Sequence, residues 1–128
     1  MRLLLDTHAL IWWLAGDPAL AATAKSAIAD LSNEVVVSAA SAWEISTKFR
    51  IGKLPGAATL ANNVAAAVAS QGFFELPITI REAQLAGSLP GPHRDPFDRM
   101  LIAQALAAQL VLVSNESVFD RYGVQRLW

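Results

Sequence analysis

The chain contains no cysteine, so neither a disulfide framework nor a thiolate metal site is open to it. Charged residues are scarce, at 16% against 54% hydrophobic. Even so, no uncharged apolar run approaches the roughly 18–20 residues needed to cross a bilayer. The longest, Ala9 to Gly16, is short and carries two tryptophans. A cleavage-site pattern is also missing: one arginine, a strand-like Leu3-Leu4-Leu5 and then Asp6 do not make a signal peptide. A cytoplasmic protein with no membrane association is expected. An excess of basic charge is absent too, since the net charge is −1, so composition does not point to non-specific phosphate binding. His8 and His93 are the two histidines; they lack a paired metal-binding spacing and are assigned to core or surface. There is no internal repeat and no low-complexity tail. At 128 residues, one domain over 1–128 with a real core is expected.

What is present is an alternation of short strands and helices. Leu3 to Leu5 is a short apolar run of the kind that makes a buried strand. Thr7 to Ala15 is helical and stopped by Gly16-Asp17-Pro18, and Ala19 to Leu31 is an alanine-rich second helix. Val35 to Val37 is β-branched throughout and forms the second strand. A helix over Ala42 to Phe49, a loop from Ile51 to Gly56 and a helix over Ala57 to Ser70 follow. Phe73 to Leu76 is extended, and a helix opens near Thr79 and ends near Gly87. After the break at Pro90-Gly91-Pro92 come a helix over Pro96 to Gln109 and a strand over Leu110 to Val113. A turn or short helix from Asn115 to Tyr122 and a last strand from Val124 to Leu127 complete the chain. This order predicts an α/β sandwich around a mainly parallel sheet.

The carboxylates fall at telling places. Asp6 closes the first strand, Glu44 lies in the first turn of the helix after the second, and Asp95 and Asp98 open the Pro96 helix. Glu116 follows the Leu110–Val113 strand. In open α/β sheets, sites form beyond the carboxyl ends of the strands. Each acid also has a structural explanation. Ser41-Ala-Trp-Glu44 matches a capping box. Asp95 is a good N-cap before Pro96, with Asp98 favoured by the helix dipole. Asp6 and Glu116 can cap the helices that follow them. Capping, however, predicts no convergence at one end of a sheet. Carboxylates gathered there repel unless protonated or bound to cations, and clusters of hard oxygens suit Mg²⁺ or Mn²⁺.

Four blocks closely resemble the PIN domains of VapC-type toxins: LLLDTHALIWWL, SAASAWEISTK with GKL after it, HRDPFDRMLIAQA, and LVSNESVFDRYGV. They span essentially the whole chain in the right order. The resemblance implies a PIN-like three-layer α/β/α sandwich and an acidic pocket holding Mg²⁺ or Mn²⁺. It implies an endoribonuclease that hydrolyses phosphodiester bonds and leaves 5′-phosphate and 3′-hydroxyl ends. By position, Asp6 is the first-strand acid and Glu44 the acid of the W-E-I block. Asp98, at the usual distance before L-I-A, is the third, with Asp95 as an additional or outer acid. Glu116 stands fourth, where aspartate is common. The metal is expected between Asp6 and Asp98, with Glu44 directly or one layer out; a second ion among Asp95, Asp98 and Glu116 stays open.

Arg94, Arg99 and Lys48 flank these acids and are the expected RNA-backbone contacts, although Arg99 can instead pair with Asp95 at i,i+4. Thr7 either bonds a ligand carboxylate or phosphate, or sits in a first helical turn. The resemblance also implies tRNA or another structured RNA as substrate. As partners it implies a small VapB-like antitoxin and a homodimer within a higher hetero-oligomer. Trp12 and Trp13 point about 100° apart on a helix, so either one lines a partner groove or both are core. Two rival enzyme classes lack their residues. Haloacid-dehalogenase-like phosphatases need an aspartate where His8 stands, and receiver domains need a mid-chain phosphoaccepting aspartate and a late lysine. A PIN fold serving only as a scaffold would show itself by missing acids, and they are present.

Overall fold

A computed structural model describes all residues 1–128. The first half of the chain forms β1 (Arg2–Leu5), α1 (Thr7–Ala15), α2 (Ala22–Ala29), β2 (Glu34–Ser38) and α3 (Ala39–Arg50), then α4 (Ala58–Asn62) and α5 (Val64–Ser70). The second half adds β3 (Phe74–Leu76), α6 (Ile80–Ser88), α7 (Pro96–Ala108), β4 (Val111–Val113), a 3₁₀ turn (Ser117–Tyr122) and β5 (Gln125–Leu127). The strands lie in the order β3-β2-β1-β4-β5, and every pairing is parallel. The chain thus steps outward from β1 to β3, then returns to the other side of β1. The crevice between β1 and β4 is where such a sheet opens a site.

Side chains on a strand alternate between faces, and here both faces are covered. Leu3, Leu5, Val35, Val37 and Val113 pack under Leu10, Ile28, Ile45, Val64 and Val68 of α1, α2, α3 and α5. Leu4, Val36 and Leu112 pack on the opposite face under Leu101, Ile102 and Ala105 of α7 and Phe119 of the 3₁₀ turn. Burial on both sides explains why the strands read as unbroken apolar runs. The layers are therefore α/β/α. No helix is long and apolar enough to cross a membrane.

The structure moves three boundaries, each for a local reason. The second helix is confined to Ala22–Ala29, because Asp17 draws the Ala19 N–H into a turn and Asp30 bonds Ser32 beyond the helix end. The expected helix over 57–70 breaks at Asn63, whose backbone leaves helical geometry at φ −156° and whose side chain accepts from Ala66 N–H at 3.0 Å. Asparagine offers the backbone this alternative partner. Finally, α3 begins at Ala39, with Ser38 as its cap accepting from Ala40 N–H. The expected Ser41–Glu44 capping box does not form, and Glu44 lies in the second turn rather than the first. The capping box the chain does make is Thr79 with Glu82, at the start of α6.

One buried polar residue ties these layers together. Gln104 of α7 is fully buried; it accepts from Ser38 Oγ at 2.5 Å and donates to Pro77 O and Glu82 Oε1. All its bonding groups are matched, as a buried amide requires.

Candidate active site

Each acid reaches the carboxyl edge of the sheet through its own element. Asp6 follows β1 directly and caps α1, accepting from Ala9 N–H at 2.7 Å. Its backbone N–H donates to Val113 O of β4, which fixes it at the β1–β4 crevice. Glu44 is 3% exposed on α3, where a free carboxylate would be costly. Thr7 Oγ1 donates to Glu44 Oε1 at 2.5 Å and is paired with Ser41 Oγ at 3.0 Å, while Lys48 bonds Glu44 Oε2. Asp95 caps α7, its Oδ1 accepting from both Phe97 and Asp98 N–H. Asp98 lies in the first turn of α7, and its Oδ2 bonds His93 Nε2 at 2.8 Å. Glu116 precedes the 3₁₀ turn, with its N–H held by Ser114 Oγ and its carboxyl making no cap.

The charges of these groups act on one another. Burial pushes the Asp98 carboxyl up from 3.8 to about 6; the charges of Asp95, Glu116 and Glu44 add to the rise, and the His93 bond opposes it. Burial likewise raises Asp6, with Glu116 adding to it, while the Ser114 hydroxyl, the Ala9 N–H and His8 pull the other way. For Lys48, burial alone would lower the ammonium, but the bond to Glu44 and the charges of Glu44, Asp95 and Asp98 raise it overall. The five acids thus share one electrostatic neighbourhood.

That neighbourhood has a consequence for stability. A proton on Asp98 is bound more tightly in the folded chain than in the unfolded one. Its contribution is fully present below 3.8 and is lost as pH rises through about 6. Without divalent ions, wild-type stability should therefore fall between pH 4 and 7 relative to Asp98→Asn. Chemical denaturation in EDTA across this range checks it; parallel pH profiles for the two proteins would contradict it.

The donor set fits a hard divalent cation: carboxylate oxygens only, crowded enough to shift one another's protonation. The acids are not arranged as a finished cage, since no three His, Asp or Glu side chains stand close enough together to hold one ion. Glu44 is turned to Thr7 and Lys48, while Asp98 gives one oxygen to His93 and Asp95 gives one to its cap.

The four residues expected to contact RNA are placed differently from one another. Arg94 is exposed and has no ion-pair partner. Lys48 is tied to Glu44. Thr7 is buried, and its hydroxyl donates to the Glu44 carboxylate, one of the two roles expected for it. Arg99 does not pair with Asp95 through its side chain; its guanidinium donates to the carbonyls of Ala86, Gly87, Leu89 and His93. Those bonds make it a clamp on the Pro90–Pro92 loop rather than a free cation. Trp12 and Trp13 are both partly buried: Trp12 packs between His8 and Trp128, and Trp13 packs on Phe73 with its N–H donated to Gln71. Neither lines the largest surface cavity, about 690 Å³ between Ile11, Leu14, Leu54 and Leu60. That cavity lies away from the acids.

Sequence reasoning missed His93 as a partner of Asp98. The two are five positions apart, across the Asp95 cap that turns the chain back on itself. The clue was the loop before them. Gly91 has φ +96°, and a Cβ there would lie 2.7 Å from Tyr122 Oη. Gly91→Ala should cost about 1–2 kcal/mol through the disfavoured φ. A thermal melt reads this directly, and an unchanged midpoint would show that the loop conformation is not required.

The PIN domain family matches residues 3–125, while no curated protein sequence matches the chain. Among solved structures, the chain is similar to VapBC2 from Rickettsia felis bound to a DNA fragment from their promoter. Identity is 15%, 99% of this chain and 98% of that chain are covered, and the TM-score is 0.69. It is similar to VapBC-1 from nontypeable Haemophilus influenzae at 15% identity, covering 99% and 97%, with a TM-score of 0.65. A domain of a functionally unknown protein from Methanocaldococcus jannaschii aligns at 10% identity over 99% and 89%, with a TM-score of 0.58. Identities this low carry the fold alone. With nearly its whole length matched and its acids gathered beyond one sheet edge, the chain belongs to the PIN-domain family.

Proposed function

We propose that the protein is a metal-dependent endoribonuclease, the VapC-like toxin of a toxin–antitoxin pair, cutting tRNA or another structured RNA. The observation that carries this reading is the electrostatic coupling of the acids: burial and the charges of Asp95, Glu116 and Glu44 hold Asp98 up to about 6, and Glu116 also acts on Asp6. A bound Mg²⁺ or Mn²⁺ would supply Lewis acidity to the phosphoryl group and lower the pKa of water.

The chain's own part is to present and balance charge. Asp6, at the end of β1, and Asp98, in the first turn of α7, would offer the cation their carboxylate oxygens. Thr7 of α1 holds Glu44 through its hydroxyl, and Ser41 of α3 pairs in turn with Thr7. Lys48 balances Glu44 until a cation enters, and Asp95 keeps the first turn of α7 intact by capping it. Glu116, one methylene longer than the common aspartate, reaches from the end of β4. Water is the nucleophile in this reading, so no serine or histidine need attack. Exposed Arg94, next to Asp95, is the cation best placed to meet an RNA phosphate.

The likeness to VapBC structures supports a VapB-like antitoxin as partner; a homodimer within a higher hetero-oligomer and a cytoplasmic setting belong to the same proposal. The test is cleavage of a mixed tRNA pool by the purified protein with Mg²⁺, with Mn²⁺ and with EDTA. Cleavage with either ion, ended by EDTA and lost in Asp6→Ala, supports the proposal. Metal-independent cleavage, or full activity in Asp6→Ala, overturns it.

A further inference from the structure

His93 is held at four points. Its backbone N–H donates to Tyr122 Oη at 3.3 Å, and its carbonyl accepts from Arg99 Nη1 at 3.0 Å. Its ring meets Phe119 edge-on, with centroids 6.5 Å apart and planes at 78°. Its Nε2 lies 2.8 Å from Asp98 Oδ2. Phe119 is fully buried, and Arg99 is fixed by four carbonyls, so both supports are themselves immobile. Prolines on either side of Gly91 fix their own φ angles and stiffen the segment that delivers the ring.

The consequence falls on one oxygen of Asp98. An ionised carboxylate can only accept, so Nε2 carries the hydrogen. That bond occupies Oδ2, while Oδ1 takes no hydrogen bond. No unpartnered side-chain atom of the chain is fully buried, so Oδ1 keeps some exposure on a side chain that is 16% exposed. The carboxylate thus has one oxygen fixed and the other without a protein partner.

We infer that His93 is a positioning residue: it orients Asp98 so that Oδ1 alone faces the cation. The inference rests on the metal-dependent reading above. Groups that bond a metal-binding carboxylate from outside typically change metal affinity 10–100-fold when removed. The brace through Tyr122, Phe119 and Arg99 is built for that role, since a merely space-filling histidine needs no fixed ring nitrogen.

The test measures Mn²⁺ binding by calorimetry in the full-length protein, without RNA. His93→Phe keeps a ring against Phe119 but has no donor; His93→Gln restores an N–H at nearly the same reach. Mn²⁺ binding should weaken roughly 10–100-fold in His93→Phe and return most of the way in His93→Gln, with both variants folded by circular dichroism. Wild-type affinity in His93→Phe, while Asp98→Ala loses binding, overturns the positioning role and leaves the metal site standing. Equal weakening in His93→Phe and His93→Gln also overturns it, because shape rather than the donated hydrogen would then be at work. A wild-type protein that binds no Mn²⁺, or binds it as well with Asp98→Ala, sinks the metal-dependent reading and this inference together.

Discussion

Asp98→Asn is expected to lower Mn²⁺-dependent RNA cleavage by about 10³-fold while leaving the protein at least as stable as wild type. The loss follows from replacing an anionic oxygen by a neutral one where the proposed cation would sit. Such an ion would supply several kcal/mol of transition-state stabilisation, and each 1.36 kcal/mol is a factor of ten. The gain in stability has the opposite origin. Above pH 6 the Asp98 carboxylate is ionised against burial and the charges of Asp95, Glu116 and Glu44, and asparagine removes that repulsion. The amide keeps nearly the same shape, and the Asp95 cap is made through the backbone N–H of residue 98, so α7 is not expected to unravel. Single-turnover cleavage and a melt on the same preparation check both halves. A variant that is inactive because it is unfolded would not satisfy the account, and one that keeps its activity would contradict it.

The second large effect concerns Lys48. Its ammonium is the direct partner of Glu44, whose side chain is only 4% exposed. Lys48→Met keeps the length of the side chain and removes the charge, leaving a buried carboxylate with only the Thr7 hydroxyl against it. Breaking one side of a buried pair is strongly destabilising, and for this half-exposed lysine about 2–3 kcal/mol is expected. Two outcomes distinguish this from simple loss of packing. Saturating Mn²⁺ should return a large part of the lost stability, because a cation takes over the neutralising role. The double variant Lys48→Met/Glu44→Gln should be markedly more stable than Lys48→Met alone. A destabilisation untouched by either change would place the defect in packing and remove Lys48 from the charge balance of the site.

Much of this was legible in the chain, for reasons that differ by element. Leu3–Leu5 and Val35–Val37 announce themselves because a parallel sheet covered on both faces tolerates no polar interruption. Thr7–Ala15 is bounded by Asp6 and Gly16, and the structure keeps those ends, with Gly16 in the left-handed region at φ 64°. The cap of α7 at Asp95-Pro96 was equally plain. The start of α3 was not. Ser38 and Ser41 both satisfy the local cap pattern, and only the strand pairing of Ser38 with Leu76 places the helix start after it. The break at Asn63 was hidden in an alanine-rich stretch whose propensity is helical throughout.

The acids could be gathered at one sheet edge from topology, since Asp6, Glu44 and Glu116 each follow a strand of a parallel sheet. Their partners could not be. The Thr7–Glu44 bond spans 37 positions and joins two helices, and the four carbonyls that hold Arg99 come from the last turn of α6 (Ala86, Gly87) and from Leu89 and His93 on either side of the Pro90–Pro92 break. Arg99 reads as a cation beside an acid, whereas its guanidinium bonds four carbonyls, and the bond of His93 to Asp98 leaves no mark in the sequence. Both have one source: a sequence shows which charges are near along the chain, while partners are chosen by packing.

The most direct measurement is a crystal grown with saturating Mn²⁺ and examined for anomalous scattering. The account predicts a Mn²⁺ peak between Asp6 and Asp98, within about 2–2.3 Å of an oxygen of each, as expected for a Mg²⁺-like ion on carboxylates. Manganese found only elsewhere, or none at the β1–β4 crevice at saturation, would contradict it.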